Sequence, residues 1–185
     1  MALKATIFKA QLFLSDMDRH HYQEYALTLA RHPSETDERM MIRLMAFCWH
    51  AHERLEFTKG LSADDEPELW LKNYHDEITL WIELGQPDAK RLKKACHRAS
   101  HVVLYLYGGR GTQIWWKQNQ DKLAQHANLS VILLNEEQTL PLTTLIARTM
   151  SLTCTIAEKE LWISDGNLER TLTPTLLQGK SPDEL

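Results

Sequence analysis

Residues 78–107 read ITLWIELGQPDAKRLKKACHRASHVVLYLY, and the fold turns on them. Ile78 to Leu84 is rich in β-branched and aromatic residues and reads as a strand that stops at Gly85-Gln86-Pro87. Pro87 suits the first turn of a helix reaching about Ala99. His101 to Tyr107 is then a near-continuous apolar run, the mark of a strand buried on both faces. Strand, helix and buried strand in succession predict a crossover, and with it an α/β chain with a mixed sheet.

Just upstream, Glu68 to Lys72 and Ile78 to Leu84 flank the turn-like Asn73-Tyr74-His75-Asp76-Glu77 and predict a hairpin. A turn centred on His75-Asp76 pairs residues whose numbers sum to 151, which sets Glu68 opposite Glu83. Alternation puts Ile78, Leu80, Ile82 and Leu84 on one face and Thr79, Trp81 and Glu83 on the other. Cross-strand neighbours on one face lie about 5 Å apart at Cβ, so two carboxylates there repel unless a cation stands between them. Two readings stand: Glu68 and Glu83 share a divalent ion, or Glu68 is an exposed strand start while Glu83 pairs with an Arg or Lys.

Towards the N-terminus, residues 3–14 and 20–31 predict a hairpin across Ser15 to Arg19. Ser34 as N-cap, with Asp37 three residues on, predicts a helix from about Glu35 to Leu55 with the stripe Met41, Leu44, Met45, Cys48 and Leu55. Glu38 falls on the side of that stripe, where a carboxylate requires a compensating cation, metal or hydrogen bond. Glu35 and Asp37 are read as complementing the positive end of the helix dipole. After the buried run, Gly108-Gly109-Arg110-Gly111-Thr112 leads into a helix ending near Asn128, followed by a strand at 131–134. LTCTIA and ELWIS, with turns at Glu158-Lys159 and Asp165-Gly166-Asn167, give a β-rich end. The expected organisation is one domain over 1–178 and a loose tail over 179–185.

The 185 residues suit one domain with a sizeable core, and 21 Lys plus Arg against 25 Asp plus Glu give a net charge of -4. That balance excludes a wholesale DNA coater, so any nucleic-acid site is a local patch. Cys48, Cys96 and Cys154 lack C-x-x-C spacing and read as reduced thiols, which makes the cytoplasm the expected compartment. No signal-peptide pattern or run of 18 apolar residues occurs, so no membrane partner is expected. The nine histidines yield no four-ligand zinc set, and no G-x-S-x-G element occurs.

Cations crowd the predicted helix after Pro87: Lys90, Arg91, Lys93 and Lys94, with Lys93 read on its inward stripe. They are either a solvated basic face or, with Arg39, Arg110 and Lys117, a patch for a phosphate backbone. The glycine-rich stretch before Arg110 offers backbone N–H groups to a phosphate, or is a plain turn. Trp115 and Trp116 beside it either stack on bases or are half core.

The stretches ARHPSETDERMMIRLMAF (30–47), LEFTKGLSADDEPELW (55–70), WIELGQPDAKRLKKAC (81–96) and YGGRGTQIWW (107–116) resemble the YaeQ family of small bacterial proteins. The resemblance implies a variant of the PD-(D/E)XK restriction-endonuclease-like fold with extra N- and C-terminal β-hairpins. There a helix acid and acids on two adjacent strands bind Mg²⁺ or Mn²⁺; Glu38, Glu68 and Glu83 look like that set. Glu68 stands in place of the usual Asp, and Gly85 stands where the motif has its Lys. Gln86, Lys90 or Lys93 is the substitute the resemblance suggests. The expected function is a metal-dependent nuclease-like activity on nucleic-acid phosphodiesters. The alternative is a non-catalytic regulator binding nucleic acid or a protein of the transcription or repair machinery.

Overall fold

The computed structural model describes residues 4–185, residue 62 by its backbone alone. The chain is mixed α/β with two mixed sheets, and it gathers into two compact units, 1–49 with 137–173 and 50–136 with 174–185.

In the first unit β1 (Thr6–Asp16) and β2 (His21–Arg31) form the expected hairpin. β1 also pairs in parallel with β8 (Thr149–Ala157), which continues through β9 (Glu160–Ser164) to β10 (Glu169–Leu172). The terminal hairpins expected as separate additions are thus one five-stranded sheet of order β10-β9-β8-β1-β2. The alternation is clean: Phe8, Ala10, Leu12, Leu14 and Asp16 of β1 and Met150, Leu152, Cys154 and Ile156 of β8 are buried, as in a sheet with one solvated face. Glu158 and Lys159 turn with φ of 51° and 67°, and the Asp18 carboxylate accepts both their N–H groups at 2.9 and 2.8 Å. Those bonds offset the cost of two non-glycine residues in the left-handed region.

Helix α1 runs Asp37–Trp49, shorter than the expected Glu35 to Leu55. Its cap is Thr36, whose hydroxyl accepts the Arg39 N–H at 3.1 Å, while the expected cap Ser34 bonds His32 instead. Leu55, read as the end of the helical stripe, opens a short strand, β3 (Leu55–Phe57), that the sequence reading lacks. Met40 through Trp49 are all buried, so the helix is apolar all round rather than striped, and the expected stripe undercounts its contacts. The cost of this burial falls on Arg43, which forms a two-pronged ion pair with Glu35 (2.7 and 2.8 Å) and donates to the Ala30 carbonyl at 3.0 Å. Glu35 is therefore a buried structural anion rather than a complement to the helix dipole alone.

In the second unit the sheet order is β11-β7-β6-β5-β4-β3, with β4 (Leu69–Lys72), β5 (Ile78–Leu84), β6 (Ala99–Leu106), β7 (Leu129–Leu133) and β11 (Thr175–Gln178). The crossover expected from residues 78–107 is present: β5, α2 (Ala89–Arg98) and β6, with the strands parallel. A second follows through α3 (Arg110–Leu123) into β7. Trp81, Val102, Leu104, Leu129 and Val131 pack on one face of the sheet with Leu92 and Ala95 of α2 and Leu123 of α3. The Asn128 side-chain amide closes the end of α2 by donating to the Cys96 and Ala99 carbonyls at 2.9 and 3.0 Å.

Residues 179–185, expected as a loose tail, carry local structure. Lys180 N–H donates to Ser130 Oγ at 2.9 Å, and Ser181 and Glu184 form a capping box around a single 3-10 turn. Gly179 has φ of 79°, and a Cβ there would meet the Leu129 carbonyl at 2.5 Å.

The buried Glu35–Arg43 pair gives the first prediction. Arg43→Met is expected to cost about 3–5 kcal/mol in urea unfolding, because it strands a buried carboxylate. Glu35→Gln combined with Arg43→Met is expected to recover at least half of that loss. Equal losses in the single and double variants would show that Arg43 acts through packing alone.

Candidate functional site

The hairpin register sets the site. Leu69↔Ile82, Trp70↔Trp81 and Leu71↔Leu80 all sum to 151, as the turn position predicts, before a shift at Lys72. Glu68 lies one residue ahead of β4 and donates its N–H to the Ile82 carbonyl at 2.9 Å. Glu83 lies on the face of Trp81, the face that α2 and α3 cover, and the Trp81 indole donates to its Oε1 at 2.8 Å. Both carboxylates are buried, Glu68 at 3% exposure and Glu83 at 2%.

A carboxylate under a helix layer needs a counter-charge, and Arg91 of α2 supplies it. Arg91 Nε donates to Glu83 Oε1 at 2.9 Å, closing an ion pair whose acid is buried and whose base is about one-third exposed. Burial pushes the Glu83 carboxyl above the ordinary range; the Trp81 and Arg91 hydrogen bonds pull it back, and the negative charge of Glu68 pushes it up again. The two acids therefore feel one another, as the register implies. Of the two readings open in the sequence, the Arg pairing of Glu83 is the one observed, while Glu68 is buried rather than exposed.

The rest of the Arg91 fork reaches the loop before β4. Nη1 donates to the Asp64 carbonyl at 2.9 Å and Nη2 to the Glu66 carbonyl at 2.7 Å. One helical turn on, Lys94 pairs with the Asp65 carboxylate, and Arg98 donates to the Asp65 carbonyl at 2.8 Å while lying over the Trp81 ring. Lys94 holds the Asp65 carboxyl below its usual range, by hydrogen bond and by charge. So the stripe Arg91, Lys94, Arg98 is committed to an acidic loop.

Beside that stripe, Lys90, Lys93 and His97 complete the wall of an open cleft of about 550 Å³, together with Asp64, Asp88, Arg91 and Lys94. Lys93 is exposed, which corrects its expected place on the inward stripe; Leu92 and Ala95 hold the buried positions. Asp88 caps α2 by accepting the Lys90 N–H at 2.6 Å.

At Gly85, where the sequence resemblance would put a lysine, the backbone favours glycine. Its φ is 86°, in the left-handed region that favours glycine, while its N–H still donates to the Tyr105 carbonyl at 2.9 Å. Gln86 is exposed and turns towards the Tyr107 carbonyl and the glycines at 108 and 111. At the N-terminus of α3 a Cβ on Gly109 would meet Glu136 Oε2 at 2.5 Å. A carboxylate of the chain itself therefore stands where the glycine-rich stretch was read as offering its N–H groups to phosphate. Arg110 and Lys117 are exposed on α3, whereas Trp115 is half-buried and packs on the core cluster.

Glu38 belongs to the first unit, where its Oε1 accepts from the buried Thr139 hydroxyl at 2.6 Å; Arg39 beside it is half-buried. Among the described residues no group of three or more His, Cys, Asp or Glu side chains is placed to hold a metal ion. Glu83 Oε1 carries two N–H donors, one of them from a guanidinium. That oxygen is thus already engaged by protein groups, as suits an anion held within the fold. Sequence reasoning missed the Asp64-Asp65-Glu66 loop as the partner of α2; its signal was the acidic run itself, facing a helix with cations at spacings of three and four.

Arg91→Met is expected to destabilise the protein by about 2 kcal/mol at about pH 7, since a buried charge loses its charged donor. A carboxyl raised by burial costs nothing below its unfolded pKa and costs progressively more as pH climbs through its folded pKa. The loss in Arg91→Met is thus expected to shrink on going from about pH 7 to about pH 5, measured by urea unfolding at both. A loss independent of pH would show that Arg91 holds the loop and not the Glu83 charge.

No helix among the described residues is long and apolar enough to cross a membrane. A protein of Escherichia coli K12 described as uncharacterized protein YaeQ is 55% identical over 175 residues, covering 94% of this chain and 97% of the relative. A Salmonella typhi protein of the same description is 57% identical over the same length, with the same coverage of both chains. The crystal structure of a YaeQ protein from Xanthomonas axonopodis pv. citri superposes with a TM-score of 0.92 at 46% identity, over 95% of this chain and 99% of that one. One from Pseudomonas syringae gives 0.91 at 33% identity, over 95% and 97%. With the family description "YaeQ protein" matching residues 1–174, the chain belongs to the YaeQ family.

Proposed function

We propose that the protein binds the phosphate backbone of nucleic acid through the α2 face of its second unit, and does so as a non-catalytic descendant of the PD-(D/E)XK nuclease-like fold. The observation that carries this reading is the cleft of about 550 Å³ in which Lys90, Arg91, Lys93, Lys94 and His97 outnumber the acids Asp64 and Asp88. Four cations and an imidazole on one face of a ten-residue helix make a local positive field in a chain of net charge -4. Such a field recognises regularly spaced phosphates without reading sequence. The arrangement β4, β5, α2, β6 supports the nuclease-like descent, and the Arg91 partner of Glu83 supports the loss of chemistry: a metal ligand has become a scaffold anion.

The metal-dependent phosphodiesterase is the second reading, and one observation favours it. Glu68 raises the Glu83 carboxyl, so two buried acids lie within electrostatic reach, a repulsion that a divalent ion relieves. In that reading Glu68 and Glu83 would hold Mg²⁺ or Mn²⁺, Lys90 or Lys93 would stabilise the phosphate, and Gln86 would position water.

A fluorescent DNA duplex of about 20 base pairs, followed by anisotropy against salt, tests the first reading. Lys90→Ala with Lys93→Ala is expected to weaken binding and to reduce the slope of log K against log salt by about 2. An unchanged affinity and slope would remove α2 as the binding face. Incubation of the same duplex and of an RNA duplex with Mn²⁺ separates the two readings: nuclease chemistry is supported by cleavage that disappears in Glu83→Ala, and binding alone by its absence in both proteins.

A further inference from the structure

Resting on the phosphate-backbone reading of α2, we propose that residues 63–66, Ala-Asp-Asp-Glu, form an internal strap that competes with nucleic acid for the same cations, so that binding requires its release. The strap imitates a backbone. Three successive carbonyls, those of Asp64, Asp65 and Glu66, and one carboxylate, that of Asp65, are presented in a row to Arg91, Lys94 and Arg98. Those cations lie three and four residues apart, one above another along α2, so the acceptors follow the helix as phosphate oxygens follow a positive groove. Asp64 also lines the cleft that Lys90 and Lys93 wall, so the strap also reaches the cations beside the stripe.

Both ends of the strap are anchored. After it, Pro67 and Glu68 run straight into β4: the Pro67 and Glu68 carbonyls accept from the Thr58 hydroxyl and N–H respectively, and Glu68 is buried. Before it, Gly60 adopts φ of 53°, and its Cα lies so close to Glu68 that a Cβ would stand 2.8 Å from Oε2. Between these anchors the Asp65 side chain is 74% exposed, and its ion-pair partner Lys94 is itself 60% exposed. A surface ion pair of this kind is weak and screened by salt, whereas a duplex offers several phosphates at once. The Asp65–Lys94 contact is therefore the first that a polyanion displaces, ahead of the carbonyl contacts to Arg91 and Arg98, and the buried Glu83–Arg91 pair remains as the fixed point.

The test uses the full chain and the labelled DNA duplex. Asp65→Asn is expected to tighten duplex binding about threefold or more at low salt. A saturating duplex is expected to speed hydrogen exchange of the amides of residues 60–66 in the wild type while slowing it along α2. Binding of Asp65→Asn within twofold of wild type, or protection of 60–66 by the duplex, overturns the strap while leaving the α2 reading standing if Lys90→Ala with Lys93→Ala still weakens binding. Absence of duplex binding in both wild type and Asp65→Asn overturns both.

Discussion

A carboxylate placed under a helix layer must be given a partner, and the pairing of Glu83 with Arg91 is the constraint on which the second unit is arranged. Burial alone raises the Glu83 carboxyl, and the repulsion from Glu68 adds to the cost. One guanidinium answers both, because its planar fork divides between the acid at 2.9 Å and the carbonyls of Asp64 and Glu66 at 2.9 and 2.7 Å. Lysine, with one charged nitrogen and no fork, cannot span those three acceptors in fixed geometry. The loop before β4, the start of the hairpin and the first turns of α2 are thereby tied at a single side chain.

The parts of this arrangement that were legible in the sequence are those governed by short-range rules. The 151 register followed from a tight turn and a period-two pattern, since a slip of one residue puts Ile82 and Leu80 on the wrong face. The buried β6 and its crossover followed from an apolar run too short for a second helix. Features set by distant chain were not legible. The parallel pairing of β1 with β8 joins strands more than a hundred residues apart, and either strand alone reads as part of a terminal hairpin.

The candidate site divides along the same line. Glu83 stood out because it interrupts LWIEL, and that signal was sound: it is the buried acid of β5. On α1 the same logic chose Glu38, yet the acid buried beside the helix is Glu35, ahead of its first turn, where its Arg43 partner lies eight residues on. Periodicity ranks only residues inside a helix and is blind to a residue that turns inward from the approach to it. Likewise Gly109 was read as an open phosphate cradle, because no local pattern says that Glu136, at the end of the next strand's loop, comes back to the start of α3.

What chemistry the second unit can offer follows from which cation is nearest its buried acid. A lysine can lose a proton and so can serve as base or acid at a reacting water; at position 85 the backbone, with φ of 86°, favours glycine instead. The cation that meets Glu83 instead is an arginine, which stays protonated throughout the working pH range. An always-charged group can bind and orient an anion but cannot relay a proton. The permanent cation beside the strand acid is thus the physical reason to read α2 as a surface that holds phosphates rather than one that cuts between them.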